Sequence, residues 1–135
     1  MTLLNTEKQY RVNLDAKKRV VNVTTWGKPS KRLIKRIMLE SKARAEAEQM
    51  NLILCDATGL SKISYPKFRQ LLRYFSQLSI IPSSYRHAIV IRSDLFSEQW
   101  MTEWEHQLVH SGNRHHRVFF DVKQATAWLA SNGSS

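Results

Sequence analysis

Hydrophobic and polar positions along the chain follow two periods, one typical of strands and one typical of helices. Residues 10–15 alternate polar and apolar side chains as a half-buried strand does. Residues 19–26 are rich in β-branched side chains and predict a second strand. A tight turn over 15–18 would join the two segments, so the pattern predicts an antiparallel hairpin, after which Gly27 ends the second strand.

Beyond the hairpin, helical and strand-like segments alternate. Continuous apolar runs over 52–56, 87–91 and 117–120 predict strands, of which the first would be central and buried on both faces. Strands joined by helices run mostly parallel. The pattern therefore predicts an α/β fold with a five-stranded mixed sheet, an antiparallel N-terminal hairpin and about four covering helices. Signals for helix ends stand at Pro29–Ser30 and about Met50, at Pro66, at Ser93 or Asp94 and Gly112, and at Asp121.

Length and composition limit the class of protein. The 135 residues fit a single domain, which we expect to span 1–135 with an ordered core over about 9–131. A single cysteine excludes an internal disulfide. No apolar run approaches the roughly 20 residues of a membrane span, and residues 1–4 are too short for a signal sequence, so we expect a cytoplasmic protein. The net charge of +10 favours acidic or anionic partners.

No group of residues predicts catalysis, a cofactor or a metal. Cys55 lies in the most apolar run, where a thiol behaves as a small buried hydrophobe. The glycines form no phosphate-binding loop. His106 and His110 stand four apart on a predicted helix, followed by His115 and His116, but without a second cysteine or an H-E-x-x-H pattern. We interpret these histidines as a polar helix face followed by a basic loop, and we expect a protein that is not an enzyme.

The end of the predicted central strand is the first candidate binding site. Ligands of open α/β sheets gather outside the carboxyl ends of the strands, and Asp56 stands at such an end. A capping and turn role for Asp56, Thr58 and Ser64 is the alternative. The candidate residues for binding a ligand or partner are Asp56, Thr58, Ser61, Ser64, Tyr65, Arg92 and Ser93.

A basic helix face is the second candidate. Lys67, Arg69 and Arg73 on the next helix would extend it, and such a stripe can follow phosphates. No helix-turn-helix, zinc finger or aromatic RNA-binding strand accompanies it, so a solvated face is the favoured interpretation. Association with nucleic acid or an anionic membrane is the alternative function. The residues of this face are Lys31, Arg32, Lys35, Arg36 and Lys42.

Three short motifs, in their order, resemble the STAS-like family and in particular its SpoIIAA-like branch, related to antagonists of anti-sigma factors. Residues 117–129 are similar to the terminal strand of that branch and its helix, with aspartate, alanine, tryptophan and leucine at matching intervals. Residues 52–59 are similar to the central strand and its aspartate-x-Ser/Thr-Gly end. Residues 26–28 are similar to the turn before the first helix, and the likeness covers about residues 9–131.

The resemblance implies a non-enzymatic regulatory or ligand-binding module without a cofactor. Such a module would bind a protein partner, or a small apolar or anionic molecule, near the end of the central strand. Members that act as phosphoswitches carry an aspartate–serine pair before the second helix; that pair is absent here, which leaves Ser61 and Ser64 as candidates.

The branch is also similar in fold to lipid carriers of the CRAL-TRIO type, which implies an apolar pocket, with plain core as the alternative. Aromatic residues exposed on the third helix are compatible with a homodimer. The pocket candidates are Phe68, Phe75, Trp100 and Trp104.

Overall fold

The computed structural model describes residues 8–131, which form one five-stranded sheet and four helices. The elements are β1 (Tyr10–Asp15), β2 (Val20–Gly27), α1 (Lys31–Ala47), β3 (Leu52–Leu60), α2 (Tyr65–Gln77), β4 (Arg86–Val90), α3 (Glu98–His110), β5 (His116–Phe119) and α4 (Val122–Ala130).

The strands lie side by side in the order in which the chain makes them, β1-β2-β3-β4-β5. β1 and β2 form an antiparallel hairpin in which Val12 faces Val23. The remaining pairs are parallel, and Leu52 of β3 stands between Val20 of β2 and Arg86 of β4. The predicted α/β fold, with its mixed sheet, its antiparallel hairpin and its central third strand, is confirmed.

Helices cover both faces of the sheet, and successive side chains of β3 point alternately to a large core on one face and a smaller core on the other. Ile53, Cys55 and Ala57 are buried in a large apolar core shared with α1, α2 and α3. The intervening Leu52 and Leu54 pack on the opposite face against a smaller core. That smaller core comprises Val20, Ala88, Val90, Phe119 and, from α4, Ala125 and Leu129.

The central strand is longer than predicted. The predicted run ends at Asp56, but one extra residue of β3 forms a bulge and the strand continues, with Trp26 pairing with Gly59 and Gly27 with Leu60. A Cβ at position 59 would lie 2.8 Å from the carbonyl oxygen of Thr25. Glycine therefore permits the close approach of the two backbones that continues the strand instead of ending it.

The helix ends follow local hydrogen bonds. Ser30 caps α1 and Asp121 caps α4, as the sequence predicts. The prediction that Ser93 or Asp94 caps α3 is wrong, since the hydroxyl of Ser97 accepts from the backbone N–H of Trp100 at 3.2 Å. Within the described residues, no helix is both long and apolar enough for a membrane span.

Candidate functional site

The carboxylate of Asp56 accepts hydrogen bonds within the bulge of β3. Its Oδ1 accepts from the backbone N–H of Thr58 at 3.0 Å and from the hydroxyl of Thr58 at 2.6 Å. Asp56 is half-buried and alternates with Ala57, so it lies on the face of the sheet that carries α4. Both of these bonds hold the irregular backbone in place, which is the turn role that the sequence left as an alternative.

The segment from Ser61 to Tyr65 joins β3 to α2 on the opposite face. The N–H of Ser61 donates to the carbonyl of Gly27 at 2.8 Å, and the hydroxyl of Ser64 caps α2 by accepting from the N–H of Lys67. The hydroxyl of Tyr65 donates to Oε1 of Glu103 at 2.7 Å, and this hydrogen bond raises the pKa of the phenol. The segment thus ties the sheet edge to α2 and α3.

Arg92 follows β4 and pairs within its own loop. Its Nε donates to Oδ1 of Asp94 at 3.0 Å, and that hydrogen bond lowers the pKa of the Asp94 carboxyl. Ser93, between them, is exposed. Among residues 8–131, no hydrogen bond or ion pair joins Asp56, Tyr65 and Arg92 to one another. The seven candidate residues share the carboxyl edge of the sheet but form separate local groups, and their joint role in binding stays a prediction.

The part of that carboxyl edge next to α1 and α2 carries two exposed lysines and two exposed aromatic side chains. α1 and α2 both begin here without an acidic residue in the first turn, so the positive ends of their dipoles face outward. Lys28 and Lys62 are exposed on the adjoining loops. Trp26 is 38% exposed and Tyr65 is 41% exposed. The edge therefore combines cations with large apolar contact area.

The basic face of α1 continues onto α2. Lys31, Arg32, Lys35 and Arg36 are exposed, and the Nζ of Lys31 lies 5.6 Å from the ring centre of Tyr74 on α2. Lys42, the last member of the predicted face, pairs with Glu46 at 3.6 Å. Four of the five predicted cations thus point to solvent.

Aromatic side chains of α2 and α3 stack over the sheet. The rings of Phe68 and Trp100 lie 4.7 Å apart, and those of Phe75 and Trp104 lie 5.7 Å apart, edge to face. A cavity of about 100 Å³ lies beneath them, between the sheet and helices α1 and α2. Phe68, Phe75 and Trp104 line this cavity, whereas Trp100 does not. The fourth predicted pocket residue therefore packs behind the lining.

Two buried histidines stand side by side on β4 and β5. His87 pairs in register with His116, and their Nδ1 atoms lie 2.8 Å apart, so one ring donates to the other. Burial lowers the pKa of both imidazoles well below the ordinary value and keeps them neutral. His115 turns away and donates from Nε2 to the carbonyl of Ile81 at 2.9 Å. Sequence reasoning missed His87; its one signal was a histidine at the start of an apolar strand run.

Two exposed histidines and one buried thiol are the other groups that the sequence raises as candidates. The rings of His106 and His110 adjoin on the exposed side of α3, with centres 5.6 Å apart. Across residues 8–131, no three side chains of histidine, cysteine, aspartate or glutamate gather as metal ligands. Burial raises the pKa of the Cys55 thiol to about 12, which suppresses the thiolate that a nucleophile requires.

Comparison with known proteins bears on the fold. No protein-family model matches the chain, and no curated protein matches it in sequence. Among solved structures, the chain is similar to an anti-sigma factor antagonist from Mycobacterium paratuberculosis. The superposition covers 95% of this chain and 100% of that one, with a TM-score of 0.50 and 9% sequence identity. The protein therefore has the STAS-like α/β fold of an anti-sigma factor antagonist.

Proposed function

We propose that the protein is a non-enzymatic regulatory module that binds an acidic surface of a protein partner at the carboxyl edge of its sheet. The observation that carries this proposal is the composition of that edge, which presents two helix N-termini and the exposed side chains of Lys28, Lys62, Trp26 and Tyr65. The shared fold supports it, because the similar structure is that of an antagonist of another protein.

The chemistry of the edge suits a protein partner. Aromatic side chains dominate the binding energy of many interfaces because they bury large areas at little entropic cost. The surrounding cations accelerate encounter with an acidic surface and disfavour basic ones. The net charge of +10 also attracts an acidic partner over longer distances.

The loop before α2 offers a point of control for such binding. Ser61 and Ser64 are both exposed, but the hydroxyl of Ser64 is engaged as the cap of α2. Phosphorylation of Ser61 would add about two negative charges to a positive edge and weaken its attraction for an acidic partner. In this proposal Ser61 is the regulatory position and Ser64 is structural.

A charge-reversal experiment tests the proposal. Tagged wild-type protein and Lys28→Glu/Lys62→Glu are used to capture partners from extract of the source cells, and the captured proteins are then purified and titrated directly. The matched control is Lys17→Glu/Lys18→Glu, which makes the same change of charge in the exposed turn between β1 and β2, at the opposite edge of the sheet.

We expect the edge variant to lose at least tenfold in affinity for an acidic partner and the control to lose far less. Replacing Trp26 with Ala should weaken binding without changing the charge. Equal losses in both charge variants would show that only the total charge matters, and the proposal would then be wrong.

The continuous basic face of α1 and α2 favours a second function, association with an anionic polymer. Binding of the protein to a generic DNA duplex at several salt concentrations tests it, because phosphate contacts make affinity fall steeply with salt. Arg32→Glu/Arg36→Glu should abolish such binding, whereas Lys17→Glu/Lys18→Glu should not. An absence of affinity at low salt would eliminate this second function.

A further inference from the structure

The two outer strands of the sheet, β1 and β5, differ in how their unpaired sides are protected. β5 has only four residues, and Oε2 of Glu105 on α3 accepts from the backbone N–H of Val118 at 2.7 Å. β1 has six residues without proline or lysine, and its pairing with β2 runs without a bulge. Proteins usually blunt an outer strand by short length, lysine, proline, a bulge or a covering group. Because β5 is blunted and β1 is not, β1 is the strand available for further pairing.

Backbone groups of alternate β1 residues point away from β2. The N–H of Trp26 donates to the carbonyl oxygen of Gln9 at 3.0 Å, so these two residues form a hydrogen-bonded pair. Antiparallel pairing alternates, and the odd-numbered residues of β1 therefore direct their N–H and carbonyl groups to β2. The even-numbered residues direct theirs to the outer side of β1, where no strand among residues 8–131 pairs with them.

We propose that the outer side of β1 pairs with β1 of a second copy of this chain, antiparallel and centred on Asn13. In such a pair the even-numbered residues of one copy bond to the even-numbered residues of the other, so the two-fold axis passes through a residue and not between two. With the axis at Asn13, Val12 bonds to Leu14 of the second copy. In the same register Arg11 lies opposite Asp15 of the second copy.

The charges on β1 favour this register. Arg11 and Asp15 would form two opposite-charge pairs related by the axis, at positions without hydrogen bonds, where side chains across a pair are closest. An axis at Val12 loses both ion pairs, and an axis at Arg11 sets that residue against its own copy. Neither Arg11 nor Asp15 forms an ion pair inside its own chain within residues 8–131.

The apolar side chains of β1 favour the same pairing. Val12 and Leu14 pack against the large core but are only half-buried, because β1 is the last strand on that side of the sheet. A strand from a second copy would cover both, with Val12 beside Leu14 twice across the axis. The pairing therefore removes apolar area from water in addition to bonding the outer backbone groups.

Sedimentation velocity of the unaltered chain from about 1 μM to about 1 mM, a range that includes weak complexes, tests the proposal. We expect an equilibrium between one chain and two. Arg11→Asp and Asp15→Arg should each weaken the association roughly tenfold, because each sets like charges opposite one another twice. The matched control Arg73→Asp, on the exposed side of α2, should leave the association unchanged.

A mixture of the two β1 variants tests the register itself. When one Arg11→Asp chain pairs with one Asp15→Arg chain, both cross-strand pairs again join opposite charges. The mixture should therefore associate about as tightly as the unaltered protein, although each variant alone does not. Hydrogen exchange at the amides of Val12 and Leu14 should also slow as the concentration of the unaltered protein rises.

A single chain at every concentration would overturn the proposal, and that measurement depends on no variant. Association that Arg11→Asp and Asp15→Arg leave unchanged would assign the contact to another surface and would overturn it too. The proposed register would also be wrong if the mixture associated no more tightly than its components. Near-ultraviolet circular dichroism of each variant confirms that a loss of association is not a loss of fold.

Discussion

Polar side chains at the carboxyl edge of the sheet have hydrogen-bond partners close by, whereas two in the interior beneath α1 and α2 each lack one. At the edge, the side chains expected to form one binding site are engaged by near neighbours, as Asp56 is by Thr58 and Arg92 by Asp94. In the interior, where an unmet polar atom is far more costly, His87 and Trp104 each leave one nitrogen without a partner.

The contrast separates residues that build the fold from residues available to a ligand. A carboxylate that already accepts two bonds from its own strand gains little from a partner. The exposed cations and aromatic rings of the edge retain unused binding capacity. Four measurements test this division, described from the largest expected effect to the smallest.

Acid should destabilise the protein through its buried histidines. Burial lowers the pKa of His87 to about 3 and that of His116 to about 2, while unfolded histidines titrate near 6.5. Below pH 6.5 the unfolded chain therefore binds protons that the native protein does not, and stability falls as the pH falls. Well below pH 6.5 the loss approaches about 1.4 kcal/mol per pH unit for each histidine, and since the slope is smaller near pH 7, the pair loses about 4 kcal/mol between pH 7 and pH 5.

Urea unfolding at pH 7, 6 and 5 measures this effect. His87→Phe/His116→Phe should flatten the dependence on pH, whereas the control His106→Asn/His110→Asn, on the exposed face of α3, should retain it. An unchanged slope in the double phenylalanine variant would show that the interior histidines are not its source.

The two buried histidines should also be coupled at neutral pH. Replacing either one alone with Phe leaves the Nδ1 of the other without its partner, which costs about 1–3 kcal/mol. Replacing both removes the unmet atom, so the double variant should lose less stability than the sum of the single ones. Thermal and urea unfolding of the four proteins provide the cycle, and additive losses would contradict the contact.

The hydrogen bonds of Asp56 should contribute more to the free energy of unfolding than its negative charge does. Asp56→Ala removes both bonds to Thr58 and should cost about 1 kcal/mol in the free energy of unfolding. Asp56→Asn retains an accepting oxygen and should cost clearly less. A stable Asp56→Asn variant that no longer captures a partner would instead assign the carboxylate to the binding surface.

The smallest effect on stability is expected for Lys28→Glu/Lys62→Glu. Both side chains are exposed, so the free energy of unfolding should change by no more than about 0.5 kcal/mol. Each Lys→Glu change lowers the net charge by two units, so the double variant has a net charge of +6 instead of +10. Circular dichroism and urea unfolding check that any loss of partner binding is not a loss of fold.

The fold was predictable because its signals are local. The apolar run from Leu52 to Asp56, the Ser30 cap and the Asp121 cap each depend on residues within one turn or strand. The wrong cap for α3 was predicted because several local signals compete there. Ser93, Asp94 and Ser97 are all good caps, and pairing with Arg92 places Asp94 in the preceding loop. The periodicity of apolar residues alone does not show which of these three residues caps the helix.

The bulge and the buried histidine pair were not predictable for a different reason. Gly59 reads as a strand ending, and only the carbonyl of Thr25, on another strand, reveals it as a point of close approach. The hydrogen bond between His87 and His116 joins residues that lie 29 positions apart along the chain. Contacts of that separation leave no trace in spacing or composition, so the strand-end site and the basic face of α1 could be proposed from sequence but the buried histidine pair could not.

The side-by-side order of the strands has a consequence for how the molecule forms. Each strand hydrogen-bonds to the one made just before it, so a chain emerging from the ribosome finds its template already in place. Each parallel pairing spans a connection with a single helix, which keeps the mean separation of contacts low for a mostly parallel sheet and favours faster folding. Assembly can therefore proceed from the first hairpin outward, with α4 closing last over β3, β4 and β5.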